Sequence, residues 1–204
     1  VTGVAIGSVV PVLTETWQRL CRRWWGYEAF VMDVSLDLGM AVRVREPRRV
    51  GVDRLLNALA ARAAWGAPCI VLDFGTATKF DVVGPDGAFW GGAIAPGLQT
   101  AAESLVRNTA QLPRIPFVAP ASPIGDDTVS AMQAGIVLGY LDLVEGLVRR
   151  IRAALATTAP VIATGGLAPL FQGMTSVIDH YEPALTLQGL RLVYERHGGF
   201  ARSV

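Results

Sequence analysis

Between residues 70 and 97 an apolar run, Ile70-Val-Leu, ends on the carboxylate of Asp73, turns at Gly75 with hydroxyls on Thr76 and Thr78, and returns from Phe80 to Val83. A second turn at Pro85-Asp-Gly87 leads to a glycine cluster, Gly91-Gly-Ala-Ile-Ala-Pro-Gly97. The pattern restricts this stretch to a strand hairpin with a polar tip. Gly75 lets the backbone approach a ligand with no Cβ in the way, and the free N–H groups of a tight turn can face phosphate oxygens. Asp73, at the end of a buried strand, carries a charge that needs a cation or a strong donor nearby. An ordinary hairpin also accounts for Asp-x-Gly-x-Thr taken alone; the second glycine cluster favours a phosphate-handling one.

The remaining elements follow from periodicity. Val4 to Val10 reads as a buried strand, and Pro11 opens a helix whose Leu13, Trp17, Leu20 and Trp24 recur at helical spacing until Gly26. Strands are expected at Ala29 to Val34 and over residues 39–46, followed by Pro47 and a helix from about Val52 to Trp65. Ala67-Pro68 is a short link and the best candidate domain boundary. After the hairpin come a helix from Leu98 to about Asn108, a Pro-rich connection to Pro123, and the longest helix, from Asp127 to about Leu155. A strand at Val161 to Thr164, a short helix after Gly166 and a last helix from Leu185 to His197 complete the chain. Strands alternating with helices argue an α/β architecture.

Composition narrows the functional classes. A hydrophobic share of 51% against 17% charged residues describes a globular chain, and a net charge of +1 over 204 residues advertises neither nucleic acid nor an anionic membrane. No apolar stretch reaches the ~20 residues of a membrane span without a charge or a turn residue, so the expectation is a soluble protein. Cys21 and Cys69 have no metal-ligand spacing and fit a reducing cytosol. The chain opens at Val1 directly into a strand-like run, which leads us to expect a preceding segment; no basic stretch followed by an apolar one suggests a signal peptide.

Three further groups bear on chemistry. Gly51-Val52-Asp53-Arg54 opens a helix. A carboxylate in a first helical turn is favoured by the macrodipole, and that position suits a general base facing a bound hydroxyl. Arg54 could clamp a substrate carboxylate through its planar fork. The plainer reading of these four residues alone is that Asp53 caps the helix and Arg54 is a solvated charge. Ile162-Ala-Thr-Gly165-Gly166 runs a strand into a double glycine, a flat floor for a base or ribose, although such turns are common in α/β proteins. On the long helix Ala131, Gly135 and Gly139 recur every four residues; glycine inside a helix costs about 1 kcal/mol, so the line suggests close packing against an internal helix or a second subunit.

Taken together, Gly51-Val-Asp-Arg54, Asp73-Phe-Gly-Thr-Ala-Thr78, Gly91 to Gly97, Arg107-Asn-Thr-Ala-Gln-Leu-Pro113, Thr128 with Ala131-Met-Gln-Ala-Gly135, and Ala163-Thr-Gly-Gly166 occur in an order and spacing that resembles type III pantothenate kinases. These are bacterial enzymes of the acetate and sugar kinase, Hsc70 and actin superfamily. The resemblance runs from Gly3 to about Glu195.

It implies a ribonuclease-H-like, actin-like ATPase fold in two domains: residues 1–67 as the remainder of an incomplete first domain and 68–204 as the second. It implies ATP-dependent phosphorylation of pantothenate to 4'-phosphopantothenate, the first step towards coenzyme A, in a cytoplasmic homodimer joined through the long helix 127–155. Asp53 matches the proton acceptor, and Gly51, Val52, Asp53 and Arg54 the substrate-binding segment together with Thr128. Gly75, Thr76, Thr78, Gly165 and Gly166 match the ATP side, with Mg²⁺ helping to hold the nucleotide. Asp73 matches the ligand of a monovalent cation, K⁺ or NH₄⁺. Neither nucleic acid nor membrane is an expected partner.

Departures from the pattern accompany it. The family's opening Asp-x-Gly-Asn-Thr phosphate loop has no counterpart in these residues, so residues 1 to 204 alone are expected to be inactive. Val44 stands where a substrate-contacting tyrosine is usual, Lys79 where a threonine is, and Asp126 where a basic residue is. The other function class consistent with these departures is a non-catalytic, ligand-binding or regulatory relative.

Overall fold

A computed structural model describes residues 3–199. Its elements are β1 (Ala5–Ile6), α1 (Pro11–Trp25), β2 (Phe30–Val31), α2 (Val52–Trp65), β3 (Cys69–Phe74), β4 (Ala77–Val83), β5 (Phe89–Pro96), α3 (Leu98–Arg107), α4 (Thr128–Gln133), a π-helical turn at Ala134–Leu138, α5 (Gly139–Leu155), β6 (Val161–Thr164), β7 (His180–Tyr181) and α6 (Leu185–Arg196). The α/β architecture expected from the alternation is present. A five-stranded sheet runs in the order β5-β4-β3-β6-β7, and β1 with β2 forms a separate two-stranded sheet. Tight turns link β3 to β4 and β4 to β5, which makes them antiparallel hairpins. β3–β6 and β6–β7 are parallel, so the large sheet is mixed.

The chain forms two compact units and passes between them four times, after Cys69, Phe80, Gly91 and Pro183. The first unit therefore contains α1, α2, the tip of the second hairpin and α6. Here α2 buries Leu55, Leu56, Ala58 and Leu59 against α6, which contributes Leu185 and Val193. The helices approach so closely at Gly189 that a Cβ there would collide with the Leu56 carbonyl oxygen. Thr186 Oγ1 donates to the fully buried Asn57 Oδ1 at 2.6 Å.

The second unit is built around β3 and β6, with Ile70, Leu72, Phe74, Val161 and Ala163 meeting Tyr140, Val144 and Val148 of α5 and Phe171. Phe74 and Tyr140 both stack on Phe171, with ring centroids 4.9 and 5.7 Å apart. Asp127 caps α4: its carboxylate accepts from the Ser130 backbone N–H at 2.7 Å while Ser130 Oγ accepts from the Asp127 N–H at 3.1 Å. The hydrogen bonds from Ser130, backbone first, hold the Asp127 carboxyl below the usual range. The helix from Thr128 to Leu155 spans 28 residues and is long and apolar enough, by length and composition, to cross a membrane. Its Tyr140, Val144 and Val148 nevertheless belong to the core of this unit.

Several expectations change in the structure. The run Val4 to Val10 pairs only over Ala5–Ile6, because Ser8 Oγ takes the Val10 N–H at 3.0 Å and turns the chain. Val9 and Val10 are consequently exposed. Residues 39–46 do not form a strand; they make a single bridge, Val42 to Phe89, held by Phe89 N–H to Ala41 O and Arg43 N–H to Phe89 O, both 2.8 Å. The stripe on α1 packs poorly, with Leu13, Trp17 and Trp24 exposed and Cys21 buried. The long helix contains a π-helical turn that no residue pattern announced.

Candidate active site

Two glycine-containing turns meet at one end of the second unit. β3 and β6 are parallel with Ile70 opposite Val161 and Asp73 opposite Thr164. Their carboxyl ends thus deliver Gly75-Thr76 and Gly165-Gly166 to the same edge of the sheet, where ligands of open α/β sheets bind. A cleft of about 430 Å³ lies there, lined by Phe74, Gly75, Thr76, Gln99, Thr100, Glu103, Gly166 and Leu167.

Backbone contacts hold this cleft in shape. Gly97 N–H and Thr100 Oγ1 both donate to the Thr76 carbonyl, at 3.0 and 2.7 Å, and fasten the start of α3 to the turn after β3. A Cβ at Gly97 would collide with the Gly75 oxygen and sit 2.6 Å from the Thr76 oxygen, so the second glycine cluster ends in a residue chosen for closeness. Gly165 has φ +94°, and a Cβ on it would lie 2.6 Å from the Phe74 oxygen. Gly166 has open space in front of it and lines the cleft. Such a floor admits a flat group against the backbone.

The two hydroxyls expected on the nucleotide part company. Thr76 is exposed at the tip and lines the cleft, whereas Thr78 is 1% exposed and hydrogen-bonded to the Tyr140 hydroxyl. Thr78 ties β4 to α5, because alternation along β4 turns it towards the core. Tyr140 also donates to Pro96 O at 3.4 Å, and its phenol is pushed above the usual range chiefly by burial.

Asp73 meets the requirement for a cation or strong donor in an unexpected way. Lys79 Nζ lies 2.7 Å from its Oδ2, and both side chains are largely buried, at 17% and 14% exposure. Gly75 N–H donates to Ala77 O at 3.3 Å, and that register sets residue 73 across from residue 79. An ammonium of the chain itself thus stands beside the carboxylate that the resemblance matches to a monovalent-cation ligand. Among the described residues no three His, Cys, Asp or Glu side chains gather as a metal site.

The Gly51–Arg54 group belongs to the first unit, Thr128 to the second. Gly51 is the N-cap of α2, and Asp53 sits in its first turn, half-buried. The Asp53 carboxylate folds back over Gly51, where a Cβ would fall 2.5 Å from Oδ1; any side chain at 51 would displace it. Val52 is a core side chain. Arg54 neither dangles in solvent nor stands ready with a free fork. Its Nε and Nη2 bond Asp81 Oδ1 at 2.7 and 2.5 Å, Asp81 is fully buried, and the guanidinium lies 5.5 Å from the Phe89 ring centroid. Thr128 is the exposed first residue of α4.

Three cleft residues escaped the sequence reading: Gln99, Thr100 and Glu103 of α3, with Gln99 Nε2 donating to Glu103 Oε1 at 2.8 Å. The available signal was polar residues at i, i+1 and i+4 in the first turns of a helix that follows a glycine cluster. Lys79 was legible too, since a tight hairpin sets it across from Asp73.

Against known proteins, the family model described as type III pantothenate kinase matches residues 1–150. The type III pantothenate kinase of Acidiphilium cryptum is 49% identical over 197 residues, covering 97% of this chain and 74% of the relative. That of Thermomicrobium roseum is 50% identical over 196 residues, covering 96% and 76% respectively. A Campylobacter jejuni crystal structure described as a Baf family transcriptional activator superposes with TM-score 0.67 over 97% of this chain and 84% of that one; at 15% identity it speaks for the fold alone.

Proposed function

The chain belongs to the type III pantothenate kinase family, and on that footing we propose that the intact protein transfers the γ-phosphoryl group of ATP to the primary hydroxyl of pantothenate, giving 4'-phosphopantothenate and ADP. The observation that carries the reading is the convergence of Gly75-Thr76 and Gly165-Gly166 on one cleft, a floor and a turn suited to a nucleotide and its phosphates.

In this reading the Thr76 hydroxyl and the N–H groups of its turn hold phosphate oxygens, and Gly165-Gly166 supports the adenosine end. Asp53 accepts the proton of the pantothenate hydroxyl as its oxygen bonds to phosphorus and the bond to the ADP oxygen breaks. Phosphoryl transfer asks mainly for positioning and neutralisation of charge. Mg²⁺ bound with the nucleotide would supply part of that neutralisation. Gly51 gives the Asp53 carboxylate its room, Asp81 fixes Arg54 beside it, and Thr128 adds a substrate contact. A cytoplasmic homodimer joined through residues 127–155 belongs to the same reading. Its support is the line Ala131, Gly135 and Gly139, which is exposed, with open space in front of both glycines.

The test is formation of phosphopantothenate from pantothenate and ATP by the intact protein, compared with Asp53→Asn. The amide cannot accept the proton, so turnover should fall by about 10²–10⁴-fold with the melting temperature unchanged. A folded variant with near-wild-type turnover removes Asp53 from the chemistry, and no product from the wild type removes the kinase reading.

A further inference from the structure

Asp73 lies near the end of β3, an inner strand of the five-stranded sheet, flanked by β4 on one side and β6 on the other. With only 14% of its side chain exposed, its carboxylate has lost most of its water and requires a positive charge close by. The resemblance implies that potassium or ammonium fills this need. Here Lys79 Nζ already does, at 2.7 Å from Oδ2, from the directly opposed position on β4. Lysine ends in an alkylammonium, the tethered equivalent of an ammonium ion, with three donors and one charge. Its stem fixes it on the sheet, so it neither dissociates nor competes with solution ions. A second cation beside the same oxygen would bring two like charges together around one carboxylate. The residues present therefore fit an internal ammonium rather than a bound metal ion.

We propose that Lys79 supplies, in covalent form, the cation that Asp73 requires, so that the intact protein transfers phosphate without a bound monovalent ion. The role is structural and electrostatic: Lys79 neutralises Asp73 and thereby positions the turn Gly75-Thr76 two residues further on. The inference rests on the kinase reading for its activity arm and is independent of it in its binding arm.

The binding arm measures melting temperature in KCl, NH₄Cl, NaCl and choline chloride at constant ionic strength, for the wild type, Lys79→Thr, Lys79→Gln and the double variant Asp73→Asn/Lys79→Thr. The wild type should melt at the same temperature in all four salts. Lys79→Thr and Lys79→Gln should be stabilised selectively and saturably by K⁺ or NH₄⁺, and the double variant, having lost the anion as well, should not. The activity arm assays phosphopantothenate formation in the same salts. Wild-type turnover should agree within twofold across them, while Lys79→Thr should be low in sodium or choline and rise at least tenfold with potassium or ammonium. Selective stabilisation or stimulation of the wild type by potassium overturns the proposal. So does a folded Lys79→Thr variant that is indifferent to the salt, whether active or inactive. A wild type without turnover in any salt strikes the kinase reading and leaves the binding arm to decide this one.

Discussion

Replacing Asp81 with asparagine keeps the size and one acceptor oxygen of the side chain and removes the charge that Arg54 grips. Asp81 is fully buried, Arg54 retains 15% exposure, and the two are joined by bonds of 2.7 and 2.5 Å to a single oxygen. For charge centres about 4 Å apart in an effective dielectric near 20, the attraction is about 4 kcal/mol. Removing one member of a buried pair typically costs about 3–5 kcal/mol, because the survivor stays desolvated without compensation. The residual exposure of Arg54 and the amide oxygen of asparagine favour the lower end, about 3 kcal/mol. For a chain of this size that corresponds to a fall in melting temperature of roughly 6–12 °C. Arg54 also lies over Phe89, so Arg54→Met should cost a similar amount, while Arg54→Met/Asp81→Asn should recover part of the sum. Urea unfolding followed by tryptophan fluorescence on the four proteins of this cycle gives the coupling directly, and at least about 2 kcal/mol is expected. An Asp81→Asn variant within about 0.5 kcal/mol of wild type, or a coupling near zero, would refute the reasoning that this pair anchors the segment carrying Asp53.

Gly97→Ala should push the start of α3 away from the turn after β3, since the new Cβ meets backbone atoms of Gly75 and Thr76. Stability should drop by about 1–3 kcal/mol and KM for ATP should rise about tenfold or more, with unchanged KM and melting temperature counting against the packing argument. Burial pushes the Cys69 thiol up to about 12 from 9.0. The folded chain therefore keeps this proton between those values while the unfolded chain loses it, and stability falls by up to about 1.4 kcal/mol per pH unit from pH 9 upwards, with no contribution below. Comparing denaturation of the wild type and Cys69→Ala at pH 8, 9.5 and 10.5 isolates this group; a difference that stays constant with pH refutes it.

How much was legible in advance depended on how far apart the interacting residues are. α2, α3 and α6 form close to where helical spacing and glycine stops put them, and the hairpins around Gly75 and Gly87 follow from turn chemistry, because these structures close their hydrogen bonds within a few residues. The run over 39–46 shows the opposite case: alternation makes a strand possible, but only a partner makes it real, and this one finds a single bridge to Phe89. The candidate site divides in the same way. The turn at Gly75-Thr76, the double glycine at 165–166 and the first-turn carboxylate of Asp53 are visible as local patterns, and even the Asp73–Lys79 pair follows from a hairpin register. Only the tertiary structure decides that β3 and β6, some 90 residues apart in sequence, lie parallel and in register and so bring the two glycine turns to one cleft. It alone turns Thr78 inward to Tyr140, commits Arg54 to Asp81 and draws α6 back onto α2. The physical reason is common to all of these: a side chain's direction and partner depend on which face of an element is buried, and that is settled by long-range packing rather than by the neighbouring residues.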